Sequence, residues 1–248
     1  MVKRKVVFVV PAYNETSSVG EVVEGALRLA DLVIVVDDGS SDGTDETARA
    51  AGATVARHSE NLGQGAAIQT GIELGLQLEA THLITFDADG QHRPQDALRM
   101  VDRLDAEGLD VVLGSRGGKR QVGMPLERHL LLRAGLLLSR ITTGLDLTDT
   151  HNGLRAFTAE AASLLNITQD RMAHASQILS RIAELELAWA EEPVAVSYTS
   201  FTLGKGQSSL AALRIVADLA RGRLGFEGDR SRVLEVRQLA IDEALVTR

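Results

Sequence analysis

The sequence predicts an α/β protein whose mostly parallel, twisted sheet carries helices on both faces. Three observations predict it. Short apolar runs alternate with helix-length segments through the first half of the chain. The runs are apolar at consecutive positions, as in strands covered on both sides. The runs end in polar turns, several of them rich in Gly or Asp, at the edge where open α/β sheets bind ligands.

In order, Val6–Val10 reads as the first strand, with Pro11 ending its ladder. Ser17–Ala30 follows as a helix, Ser18 and Glu21 forming a capping box. Leu32–Val36 is the second strand, Asp42–Ala51 a short helix and Ala53–Ala56 the third strand. Gln64–Leu78 has apolar residues at helical spacing, and Thr81–Phe86 is the fourth strand. Pro94 suits the first turn of a helix running to about Leu104, and Asp110–Leu113 is the fifth strand. The second half is less regular. Leu126–Ile141 and His174–Leu187 read as helices, Asp149–Thr158 as a loop entering a strand, and Val194–Tyr198 as another strand. Ser208–Leu224 is an amphipathic helix. With no repeat or clear linker, residues 1–225 read as one domain and 226–248 as a charged tail.

The 248 residues suffice for a sizeable core. A net charge of -8, with no basic aromatic stripe, argues against a nucleic-acid partner. Zero cysteines excludes thiolate metal sites and cysteine nucleophiles and suits a reducing compartment. No apolar stretch reaches the ~18 residues of a membrane span, so membrane contact is expected only from the surface.

The chemistry concentrates after the strands. In an extended chain, Asp87 and Asp89 point the same way with Ala88 turned away, which offers a divalent ion two hard oxygen ligands. Gln91 is a further candidate oxygen ligand. The bland alternative is a turn with one aspartate capping the next helix. Asp37-Asp38-Gly39 ends the second strand, and acidic groups there suit ribose hydroxyls or a base N–H, while Ser41 or Asp42 suits a helix cap. A dinucleotide fold is excluded because no G-x-G-x-x-G follows the first strand. Arg116, in Gly114-Ser115-Arg116, and Arg155, in the Asp149–Arg155 segment, place cations suited to phosphate oxygens at the same edge.

Taken together, the segments VVPAYNE, VVDDGSSDGT, HSENLGQGAA, FDADGQH, GSR and DTHNGLRAF occur between about residues 5 and 160. In that order they resemble the family-2 glycosyltransferases, in particular the polyprenyl-phosphate (dolichol-phosphate) mannosyltransferase-like branch. The resemblance implies a GT-A fold, a nucleotide diphosphate sugar donor and Mg²⁺ or Mn²⁺ near Asp87 and Asp89. It also implies that Pro11, Ala12, Tyr13, Asn14 and Glu15, with Asp38, Gly39, Asp87 and Ala88, hold the nucleotide sugar. The branch often carries Y-x-x-R-x-x-G-x-S-K after the last core strand. Here Tyr198 and Gly204 fit, Phe201 stands in place of the arginine, and Lys205 lies beside the usual lysine position.

The expected reaction is an inverting transfer of a sugar from the nucleotide diphosphate to a polyprenyl phosphate in cell-envelope glycan or glycoprotein synthesis. Asp89, Asp87 and Gln91 would hold the metal, and Arg116 and Arg155 would position the anionic partners. If the acceptor were a hydroxyl, Asp149 would be the base. A nucleotide-sugar binder without activity is the rival class. A phosphatase fits less well, because its Asp-x-Asp normally closes the first strand. The expected setting is cytoplasmic and peripheral on the membrane's cytoplasmic face, and a homo-oligomer is compatible with the sequence.

Overall fold

A computed structural model describes residues 3–117, 136–137, 139–150, 152–169, 173–196 and 230–247. The described strands are β1 (Val6–Ala12), β2 (Leu32–Asp37), β3 (Thr54–Arg57), β4 (His82–Thr85), β5 (Val111–Ser115), β6 (Arg155–Thr158) and β7 (Trp189–Pro193). The described helices are α1 (Val19–Leu27), α2 (Thr44–Ala50), α3 (Gln64–Gln77), α4 (Pro94–Glu107), α5 (Ala159–Leu165), α6 (Ala173–Glu184) and α7 (Arg230–Val246). The strands form one sheet in the order β3-β2-β1-β4-β6-β5-β7. All pairings are parallel except those of β6 with β4 and β5. The mostly parallel α/β expectation is met.

The sheet is covered on both faces, and its central strands β1, β2 and β4 are buried at every position. Val7 and Val9 of β1 join Ile34, Val36, Leu83 and Phe157 in a cluster with α3, α5, α6 and α7. Phe8 and Val10 face the other way, with Val33, Val35, Ile84 and Phe86, into a cluster with α1, α2 and α4. Alternation along one strand thus feeds two cores.

Four local expectations need correction. Pro11 does not end β1, whose register with β2 continues through Pro11↔Val36 and Ala12↔Asp37. The Val9 carbonyl faces β4 and the Ala12 carbonyl faces β2, so Pro11 lacks its N–H on the β4 side. That ladder has already stopped at Val9↔Thr85. The Ser18–Glu21 capping box is absent. The Ser18 hydroxyl instead turns back to the Glu15 carbonyl and Oε2, at 3.3 and 3.2 Å.

Third, Asp87-Ala88-Asp89 is not extended. β4 ends at Thr85, and Ala88 and Asp89 lie in a turn, so strand alternation does not set their geometry. Fourth, the last described strand is Trp189–Pro193; of the expected Val194–Tyr198, Val196 makes one isolated bridge to His92, and residues 197 and 198 lie outside the described residues. This edge strand takes its register from β5 and is half-buried, so Glu191 and Glu192 are tolerated and the apolar signal is lost. Of the sequence expectations, the Ser208–Leu224 helix, most of Leu126–Ile141, His151, Phe201 and Lys205 lie outside the described residues. Among the described residues, no helix is long and apolar enough to cross a membrane.

Because β6 runs against its neighbours, its first residue, Arg155, lies at the edge where β4 and β5 end. α7 packs on α3 and β3, and its Ala240, Ile241 and Ala244 complete the first core cluster.

Candidate functional site

Three turns converge at the carboxyl edge of the sheet. The turn after β1 is laced to the turn after β2. Asn14, at φ 54, donates its N–H to Ser40 Oγ at 2.9 Å, and its Oδ1 accepts from the Ser41 N–H at 3.1 Å. The Glu15 N–H donates to Thr44 Oγ1 at 2.9 Å. Asp42 also accepts from the Thr44 N–H at 3.1 Å, so it satisfies a donor at the start of α2. Gly39 has φ +76°, and a Cβ there would lie 2.7 Å from the Glu60 carbonyl carbon. Only glycine fits that crossing. Pro11 and Ala12 are buried in β1, whereas Tyr13 is 49% exposed and Asn14 is exposed. Side chains reachable from this turn therefore begin at Tyr13.

The adjacent aspartates are used differently. Asp38 is buried, and its carboxylate accepts from the Leu62 N–H (2.9 Å) and the Gly63 N–H (2.8 Å) and meets His58 Nδ1 at 2.7 Å. Asp37 accepts the Ser40 N–H through Oδ1, while its Oδ2 lies 3.3 Å from Arg57 Nε without a hydrogen bond.

Asp87 is the hub of the third turn. His92 Nε2 is 3.3 Å from its Oδ2, and Gln64 Nε2 donates to its Oδ1 at 3.3 Å. Gly153 packs so closely that a Cβ there would fall 2.2 Å from Asp87 Oδ2. Burial pushes the Asp87 carboxyl up, but the hydrogen bond and charge of His92, with Arg155 and His174, outweigh it and hold the group below the usual carboxylate value. Asp89 moves the other way. Burial raises it, the Gln91 N–H bonded at 3.0 Å opposes this, and the charges of Asp87 and Glu15 raise it further. Asp89 does not cap α4, where Arg93 is the N-cap and no side chain caps.

The arginines complete the edge. Arg116 forks Asp149, Nε to Oδ2 at 2.6 Å and Nη2 to Oδ1 at 2.8 Å. Glu191 holds the same loop by accepting from the Thr148 N–H at 2.9 Å and the Asp149 N–H at 3.2 Å. Arg155 is 3% exposed. Burial works against its charge, which Asp87 and Asp149 support.

Among the described residues, four buried side-chain atoms lack a hydrogen-bond partner: Asp37 Oδ2, His92 Nδ1, Asn152 Nδ2 and Arg155 Nη1. All four belong to this edge. Asp37 Oδ2 still meets Arg57 as an ion pair, which leaves three. Unpaired buried polar atoms are costly and rare, and their gathering here makes this edge the candidate ligand site.

Sequence reasoning placed Asp87, Asp89, Arg116, Asp149 and Arg155 at this edge, and the structure brings them there. It had passed over Gln64, His174 and Glu191, whose roles arise from contacts distant in sequence. The glycine in Asn152-Gly153-Leu154 was the one available signal for the close approach to Asp87.

Among the described residues, no group of three His, Asp or Glu side chains stands at metal-binding spacing. The edge does offer Asp87 held ionised beside Asp89, two like charges that a divalent cation would relieve. A cation that takes one or two carboxylates and completes its shell from a diphosphate and water fits this donor set.

The comparisons with known proteins identify the family. The model of the family described as "Glycosyl transferase family 2" matches residues 7–165. The chain is 31% identical to the undecaprenyl-phosphate mannosyltransferase of Micrococcus luteus, over 79% of this chain and 88% of that protein. It is 29% identical to the UDP-N-acetylglucosamine–dolichyl-phosphate N-acetylglucosaminyltransferase of Methanococcus voltae, over 91% and 98% of the two chains. Among solved structures, it resembles glucosyl-3-phosphoglycerate synthase of Mycobacterium tuberculosis in complex with Mn²⁺, UDP and phosphoglyceric acid. The TM-score is 0.63 and the identity 20%, over 91% of this chain and 80% of that one.

Proposed function

The chain belongs to glycosyl transferase family 2 and is a glycosyltransferase of GT-A architecture, and from that premise we propose that it moves a sugar, with inversion, from a nucleotide diphosphate sugar to a polyprenyl phosphate. The observation that carries this reading is the convergence of Asp87, Asp89 and the unpaired Arg155 Nη1 at one sheet edge. The relatives' names support the acceptor class, since two of them are named for polyprenyl-phosphate substrates.

In this reading the nucleoside lies against the Tyr13–Glu15 turn and the Asp38–Gly39 turn, over a wall formed by Pro11 and Ala12. Asp87, Asp89 and Gln91 would hold Mg²⁺ or Mn²⁺, which would supply positive charge to the diphosphate leaving group. Arg155 donates its unpaired Nη1 to an anionic oxygen, in a buried setting where such a bond is strong. Arg116, preorganised by Asp149, presents a second cation at the rim.

A specific observation favours a phosphate over a hydroxyl acceptor. A hydroxyl needs a base, and both oxygens of the leading candidate, Asp149, already accept from Arg116. A phosphate is ionised near neutral pH and needs none. A lipid-borne acceptor also implies peripheral contact with a membrane, on its cytoplasmic face.

The test begins with a thermal-shift screen of nucleotide diphosphate sugars with and without Mn²⁺, followed by transfer to a short-chain polyprenyl phosphate. Asp89→Ala is expected to lower transfer by at least about a hundredfold, the scale of removing a key electrostatic group from a transition state. Full activity in that variant would sink the metal assignment. Transfer to an alcohol but not to the phosphate would sink the acceptor assignment, and metal-dependent binding without turnover would identify an inactive binder.

A further inference from the structure

A chain of hydrogen bonds runs from the carboxyl edge to the C-terminal helix. Asp38, which holds the Leu62 and Gly63 N–H groups, meets His58 Nδ1 at 2.7 Å. His58 is fully buried, and its Nε2 lies 2.9 Å from Thr70 Oγ1. Thr70, also fully buried, accepts from Arg237 Nε of α7 at 3.3 Å. Arg237 is 6% exposed and pairs with Glu73.

One proton arrangement satisfies every member with a neutral ring. Arg237 donates to Thr70, the Thr70 hydroxyl donates to His58 Nε2, and His58 Nδ1–H donates to Asp38. All donors point toward the carboxylate, so the bonds reinforce one another in a dry interior. The carboxylate then passes the constraint on. It fixes the turn immediately before Gln64, the residue that donates to Asp87.

We propose that His58, Thr70 and Arg237 are positioning residues that act through Asp38 to set the Leu62–Gly63 turn and the Gln64–Asp87 contact. Donor affinity thus depends on a residue of the C-terminal helix. Asp38 serves the donor site from behind, by shaping the turn, with its oxygens committed to protein donors. This rests on the nucleotide-sugar reading above for its effect on binding, but not for its effect on the turn.

The test uses Thr70→Val, nearly the same shape without the hydroxyl, with Thr70→Ser as its rescue. Two readouts separate the relay from the function. Hydrogen exchange over residues 60–66 needs no ligand and is expected to quicken by about tenfold in Thr70→Val and return toward wild type in Thr70→Ser. Titration with UDP and with GDP in the presence of Mn²⁺ is expected to show about tenfold weaker binding in Thr70→Val. Donor KM should rise with kcat at saturation nearly retained. If wild type binds neither nucleotide, the functional reading fails and the exchange data alone judge the relay. If folded Thr70→Val exchanges over 60–66 as wild type does, or wild type binds a nucleotide and Thr70→Val binds it equally well, the relay is overturned. Should Thr70→Val not fold, Arg237→Met gives the same two readouts from outside the turn, with the same outcomes expected and the same ones overturning it.

Discussion

At the scale of single residues, the site is a contest between burial and pairing. Asp87 and Asp89 are two positions apart, yet their carboxyl groups move in opposite directions. Burial, with the charges of Asp87 and Glu15, raises Asp89, while at Asp87 the effect of burial is outweighed by His92 and Arg155. Gly153 is part of this balance, since it lets the loop before β6 lie against Asp87. Gly153→Ala would put a methyl group inside van der Waals contact of Asp87 Oδ2. It is expected to weaken Mn²⁺-dependent nucleotide binding by about a hundredfold, the scale of an ångström misplacement, while circular dichroism stays that of the folded protein. Titration of the purified variant with UDP and GDP checks this, and unchanged affinity would remove Gly153 from the site. Both aspartates were legible in the sequence as oxygen donors. Their geometry was not, because it comes from a turn rather than from strand alternation. Gln64, His174 and Glu191 were illegible for a simpler reason: each reaches the site across the fold.

At the scale of elements, α3 links the two halves of the site. It begins at Gln64, beside Asp87, and lies against β1 through Gly71 and against Leu83 of β4 through Gly75. A Cβ at Gly71 would come 2.3 Å from Val9 Cγ1, so helix and strand approach more closely than any larger residue permits. Gly71→Ala is expected to destabilise the protein by about 1–3 kcal/mol through overpacking, although alanine is the better helix former. A urea midpoint equal to wild type would show that the interface yields. Periodicity located β1 to β5 and α1 to α4 within a few residues, because each is long enough to repeat its pattern. It failed for β7, an edge strand whose Glu191 and Glu192 serve the Thr148–Asp149 loop and Arg103 rather than a core.

At the scale of the whole molecule, the sheet gathers the chemistry and α7 closes the fold. The segment expected as a charged tail contains a 17-residue helix. Ala240, Ile241 and Ala244 are buried in it, and Arg237 is spent on Thr70 and Glu73. Removing residues 230–248 would uncover α3 and β3 and leave the half-buried Glu73 without Arg237. We expect a loss of more than about 3 kcal/mol in urea unfolding, with loss of nucleotide binding at the same time. A truncated chain as stable as the full one would mean that α7 is an appendage.

The sequence by itself determined the α/β class, the order of the first five strands and four helices, and the residue types that meet at the carboxyl edge. Local periodicity and turn chemistry are properties of neighbouring residues, and a single chain displays them. Only the tertiary structure decided that β6 enters the sheet reversed, so that Arg155 begins rather than ends its strand at the ligand edge. The same is true of Asp87 and Asp89 being paired by a turn, and of Arg237 on a late helix joining, through Thr70, His58 and Asp38, the turn before Gln64. Those features depend on which distant segments share a dry interior, where every buried donor and acceptor must find a partner across the fold.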